Sequence, residues 1–217
     1  MHCRTIVTSV VLSLLLAALS GCLGSEHLST RTPDQPSAHE AITSLRDARP
    51  HYTSHAAATV KPEIFFLIVS DTFSLYERAQ ILRAVNEWNV ALNGFIRFEI
   101  MPNKALRKTQ GAEYWAIAAK QGREGPGPST TLAATYIAPG VGGVMDVYVQ
   151  RIGRRDLGGV VMHELGHVLG LGHSARLGLM AAHYHSTSQR CVDRAAVEAV
   201  AAKRRLPLAR LNWCMET

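Results

Sequence analysis

Within residues 160–180, VVMHELGHVLGLGHSARLGLM, three histidines, a glutamate and the closing methionine, Met180, fall at spacings that suit metal chemistry better than packing. Residues four apart share a helix face, so His163 and His167 present two imidazoles to one ion. Glu164 follows about 100° further round the helix, which sets its carboxylate beside the metal as a general base for the water that the metal activates. Gly170 can end the helix in a left-handed turn, and that turn lets His173 return as third ligand. Three neutral imidazoles with a fourth position open make a catalytic zinc site. A structural site is closed by four ligands, usually including cysteine, and no cysteine lies in this stretch.

The run His163-Glu164-Leu165-Gly166-His167-Val168-Leu169-Gly170-Leu171-Gly172-His173, followed by Met180, resembles the signature of the metzincin metallopeptidases. Ser174 directly after the third histidine and the sequence Leu177-Gly178-Leu179-Met180 are most similar to the matrixin branch. The resemblance implies an α+β zincin domain. Its twisted, mostly parallel sheet carries an edge strand over the cleft, beside a zinc-binding helix, a methionine turn with Met180 beneath the metal, and a C-terminal helix. The implied activity is peptide-bond hydrolysis by a zinc endopeptidase acting on proteins or peptides. Two departures stand out. Ala181-Ala182-His183-Tyr184 follows the methionine where matrixins usually carry a proline, and Tyr184 is out of register with the tyrosine that some metzincins use as an extra ligand. Tyr184 is therefore not expected to bind metal, and His183 and His185 are expected to be solvated loop residues.

The elements that must position these side chains can be read in chain order. Residues 63–70, EIFFLIVS, form a continuous apolar run suited to a buried central strand. A helix is expected over 74–93 with Leu75, Ala79, Leu82, Val85 and Val90 on its apolar side, Trp88 in the core and Gly94 at its end. Strands are expected at 95–100, 114–119, 131–137 and 142–149, with the third of these at the edge, where strand addition could hold a substrate. Segments 102–110 and 122–129 read as connections. Asp146 reads as a hydrogen-bonded strand residue, with structural calcium as the weaker alternative. Asp156 is the expected N-cap of the zinc helix, and 192–203 the C-terminal helix with Asp193 near its start.

The chain has 217 residues, 47% hydrophobic and 18% charged, with a net charge of +6. That suits one catalytic domain, placed at 61–217, with non-globular sequence before it. Arg4 precedes an apolar run too short to span a membrane, the pattern of a secretory signal at 1–21. Leu19-Ser20-Gly21-Cys22 reads as a bacterial lipobox, so that Cys22 is lipidated and 22–60 is a flexible tether holding the domain at the cell envelope, part of which could fold against the domain. The alternative is an ordinary secretory signal. Of four cysteines, Cys3 leaves with the signal and Cys22 carries lipid, so Cys191 and Cys214 form an even pair in an oxidising compartment, as a disulfide or as two buried thiols. Arg151, Arg154 and Arg155 lie apart from Lys203, Arg204 and Arg205 with no interleaved aromatics, which reads as a solvated basic face and not a nucleic-acid surface. The domain is expected to be monomeric. Two other functions fit the same residues: a lipoprotein binding module with a structural zinc, and an amidase of cell-wall peptides.

Overall fold

The apolar run at the domain's start forms strand β1 (Glu63–Val69), and helix α1 (Leu75–Ala91) follows it. Then come β2 (Ile96–Ile100), β3 (Tyr114–Lys120), β4 (Ala133–Ala138) and β5 (Gly142–Tyr148). A helical turn (Val149–Ile152) leads into the zinc helix, α2 (Leu157–Val168), and α3 (Arg194–Arg204) lies near the C-terminus. The computed structural model describes residues 52–102, 114–120, 130–185 and 190–215. The signal, Cys22 and the tether through residue 51 lie outside the described residues, as do the loop 122–129 and all but the first residue of 102–110. Among the described residues no helix is long and apolar enough to cross a membrane.

The strands form one sheet in the order β2-β1-β3-β5-β4, parallel throughout except that β4 runs antiparallel to β5 at the edge. Matched registers put Phe65, Leu67, Phe98, Trp115, Ile117, Met145 and Val147 on one face, and all of them are buried in a single core with the helices. Burial along β1 alternates: Phe65, Leu67 and Val69 are buried while Ile64, Phe66 and Ile68 are not. The strand is interior, as its apolar run suggests, but it is buried on one face only. Asp146 lies on the other face, where its carboxylate pairs with Lys120 at 3.2 Å as a contact of close charges and not an aligned hydrogen bond.

Helix α1 departs from the sequence expectation in which face it buries. Ser74 and Glu77 close its start as a capping box. Leu75, Leu82 and Val90, expected on the inner side, are 77%, 50% and 45% exposed. The buried stripe is Ile81, Ala84, Val85, Trp88 and Ala91, itself a regular three-and-four spacing. Two apolar patterns overlap on this helix, and the fully buried Trp88, which removes more surface from water than any leucine, decides between them.

Residues 52–58, inside the stretch expected as tether, are bound to the domain. Thr53 N–H donates to the Trp213 carbonyl at 3.0 Å and Thr53 Oγ1 accepts from Trp213 N–H at 3.1 Å. The Tyr52 hydroxyl donates to Glu87 at 2.5 Å and accepts from Val192 N–H at 3.0 Å. Asn93, in the left-handed region at φ 46°, donates to the carbonyls of Ala56 and Arg210. Nearby, Cys191 and Cys214 form a disulfide.

Candidate active site

The zinc helix is buried on every side except at His167, a pattern of central helices. Asp156 caps its start by accepting from Gly158 N–H at 2.9 Å. Arg83 of α1 reaches both oxygens of that carboxylate, and Asp156 N–H donates to the Tyr184 hydroxyl at 2.9 Å. One turn in, Trp88 Nε1–H donates to the Met162 carbonyl at 2.8 Å, directly before the first histidine. At the far end Gly170 sits at φ 90°. Gly170 N–H bonds to the His167 carbonyl and Leu171 N–H to that of Gly166, each at 2.9 Å, a Schellman closure.

That closure places the Leu171 carbonyl 2.8 Å from His167 Nδ1, while the Leu179 carbonyl lies 2.7 Å from His163 Nδ1. A carbonyl oxygen can only accept, so in both neutral rings the hydrogen is on Nδ1 and Nε2 carries a bare lone pair. The two Nε2 atoms are 3.1 Å apart. Lone pairs at that separation repel unless a cation lies between them, and two nitrogens bound to one tetrahedral zinc would be about 3.3 Å apart. His173 completes the group, all three ligand atoms lying within 4.8 Å of one another. Burial lowers the His163 pKa to about 4, helped by His167 and His173 and opposed by the Leu179 carbonyl. Burial likewise lowers that of His173, with His167 and His183 adding to it. Both shifts favour the neutral form that binds metal. The donor set therefore fits zinc.

Glu164 is 5% exposed, and burial raises its carboxyl pKa, opposed by a hydrogen bond from Thr135 and by His167. Thr135 Oγ1 on β4 donates to Glu164 Oε2 at 2.6 Å. Met180 is buried beneath the helix, where Gly166 makes room for it: a Cβ at 166 would lie 2.4 Å from its sulfur. Ser174 N–H bonds to the Met180 carbonyl at 2.7 Å, closing the loop that carries His173 back. Two cavities meet at Ala133, Glu164 and His173. One, of about 520 Å³, extends past Thr131, Val160 and Tyr184, and the other, of about 350 Å³, past Ile137, Gly170 and Leu171.

Comparison with known families returns a match to the matrixin family over residues 71–201, more than half of the chain. The chain belongs to the matrixin family. No curated protein matches it. Among solved structures it is similar to archaemetzincin from Methanopyrus kandleri, at 15% identity and a TM-score of 0.49, covering 68% of this chain and 98% of that one. A second is high choriolytic enzyme 1, a hatching-enzyme zinc-protease from Oryzias latipes (medaka fish), at 14% identity, a TM-score of 0.45, and coverage of 70% and 94%. A third is metalloproteinase-II from Bacteroides fragilis, at 14% identity, a TM-score of 0.44, and coverage of 75% and 60%.

As a matrixin the chain is a zinc metallopeptidase, and the histidines its signature singles out are the three brought together here. The Tyr184 hydroxyl accepts from Asp156 N–H at the start of the zinc helix. His183 is exposed at the wall of the larger cavity. Sequence reasoning missed Arg83, the Thr135 hydroxyl, and the double role of Asp193, which caps α3 by accepting from Ala196 N–H at 2.7 Å and also holds Leu179 N–H at 2.6 Å. All three reach across long sequence separations, and no local pattern marks them.

Proposed function

We propose that this matrixin is an endopeptidase in which Glu164 is the general base, exported and held at a bacterial envelope by lipid on Cys22. The observation that carries the endopeptidase reading is the pair of cavities opening from Glu164 in opposite directions along β4. A groove open at both ends accepts the middle of a chain, whereas an exopeptidase needs one end closed. β4 is the sheet's edge strand, which supports binding of an extended peptide by strand addition.

Zinc bound at His163, His167 and His173 supplies Lewis acidity, lowering the pKa of water toward about 7 and polarising a carbonyl. Glu164 removes a proton from the attacking water at the oxygen that Thr135 leaves free, and later returns it to the departing amine. Burial makes this carboxylate a better base than an exposed one. No acyl-enzyme is needed. Leu19-Ser20-Gly21-Cys22 supports the anchor. The deciding experiment is a proteome-wide cleavage profile of the zinc-loaded protein beside its Glu164→Ala variant. Internal cuts that vanish in the variant uphold the reading, and removal of terminal residues alone overturns it.

A further inference from the structure

Antiparallel pairing turns alternate residues of β4 toward the zinc helix. Residues directly opposite each other in such a pair share a face. Ala133 lies opposite Val147, Thr135 opposite Met145 and Ile137 opposite Gly143. Val147 and Met145 are fully buried in the core that the sheet makes with the helices, so Ala133, Thr135 and Ile137 are on the helix side. Of these three, Thr135 alone has a polar side chain. Its hydroxyl donates to Glu164 Oε2 at 2.6 Å, the length of a charge-assisted bond from a hydroxyl to an ionised carboxylate. Among the described residues no other hydrogen bond reaches that carboxylate. Oε1 has no partner there, and Glu164 lines both cavities.

A glutamate does not hold such an orientation unaided. Its last torsion is broad and roughly two-fold, so an unbonded carboxylate presents either oxygen over a wide range of angles. Threonine is well suited to stop that rotation. Branching at Cβ restricts χ1, so Oγ1 is placed by the strand backbone, which the pairing with β5 fixes. We infer that Thr135 is a positioning residue for the reaction, holding Oε2 of Glu164 so that Oε1 alone faces the attacking water. β4 is also the sheet's edge strand, where an extended peptide would add, so one strand aims the base and seats the substrate. A general base works only within hydrogen-bond reach of its proton, and loss of its aim lowers kcat while leaving ground-state binding in place. The inference rests on the reading of Glu164 as general base.

The test compares wild type, Thr135→Val, Thr135→Ser and Glu164→Gln as zinc-loaded full chains on one peptide substrate, with zinc content measured by mass spectrometry. Thr135→Val keeps the side chain's shape and removes the hydroxyl. Its kcat should fall roughly 10- to 100-fold, as loss of one hydrogen bond to a charged group allows, with zinc content unchanged and KM within about threefold. Thr135→Ser should recover most of that loss but not all, because serine keeps the donor and gives up the restricted χ1. A threonine that only braced β4 against the helix would behave differently: the loss would fall on KM, and serine would be no better than valine. Either of those results, or zinc lost from Thr135→Val, overturns the proposal. Should Thr135→Val not fold, Thr135→Ala takes its place in the same comparison. A readout without turnover comes from urea unfolding of the metal-free protein, where Thr135→Val and Glu164→Ala should be non-additive because each removes one end of the same bond. Additive costs overturn the proposal. Glu164→Gln separates the two readings. If it is inactive while Thr135→Val keeps a normal kcat, only the positioning role fails, whereas a near-normal rate in Glu164→Gln removes the general base itself.

Discussion

Replacing Asp193 by alanine, well away from the metal ligands in sequence, should weaken zinc binding. One carboxylate oxygen caps α3 through Ala196 N–H, and the other accepts from Leu179 N–H. The Leu179 carbonyl in turn orients His163 through Nδ1. Losing the cap costs about 1 kcal/mol. Leu179 is fully buried, so its unpaired N–H costs a further ~1–3 kcal/mol, for a total of about 2–4 kcal/mol in the metal-free protein. Zinc affinity should fall by roughly 10- to 100-fold, as when other groups that orient a ligand are removed. Urea unfolding of the metal-free protein would give the first quantity, and competition with a chromophoric chelator at fixed pH the second. Ala199→Gly serves as control, because Ala199 is exposed on α3 and glycine there costs about 1 kcal/mol of helix stability without touching Leu179. Zinc affinity within twofold of wild type in Asp193→Ala, or an equal loss in Ala199→Gly, would refute the orienting chain.

Glu164→Gln should keep its zinc by mass spectrometry and lose about 10²- to 10⁴-fold or more in peptide cleavage; a near-normal rate would remove Glu164 from the mechanism. Converting Cys191 and Cys214 together to serine opens a loop with a sequence separation of 23, and urea unfolding should show roughly 3 kcal/mol of lost stability; unchanged stability would mean that Tyr52, Thr53 and Asn212 hold the C-terminal segment unaided. Cys22→Ser should abolish metabolic labelling by a fatty acid, and a wild-type protein that takes up no label would rule out the lipobox.

The site was legible in the sequence because metal ligation imposes fixed spacing on one helix and one turn, within eighteen residues' reach of His163. The four-residue interval of His163 and His167 needs only helix geometry, and Gly170 announces the stop. The sheet was legible from apolar runs, with each strand found within a residue or two. What escaped was everything decided by packing. Leu75, Leu82 and Val90 look as apolar as Ile81 and Ala84, and only the docking of Trp88 on the zinc helix selects the inner face. Which part of the tether folds against the domain, Tyr52 and Thr53 among it, escaped for a related reason. Their partners, Trp213, Val192 and Glu87, lie far along the chain, and backbone pairing leaves no compositional trace.

Both zinc-helix histidines are oriented by backbone carbonyls, those of Leu171 and Leu179, and not by carboxylates. The orientation of the metal ligands is therefore set by loop conformation, so the segment from Gly170 to Ala181 must be held as firmly as the helix. The first carbonyl is fixed by the left-handed turn at Gly170. The second depends on more distant supports: Met180 packed into the space left by Gly166, the Ser174 bond to the Met180 carbonyl, and Asp193 at the head of α3. Since Val192 next to Asp193 is tied to Tyr52 and Cys191 to Cys214, the same chain of contacts runs from the N-terminal segment to His163. A buried methionine suits the centre of this arrangement, because an unbranched thioether fills the irregular gap under the helix without adding a polar atom that would compete for the carbonyls.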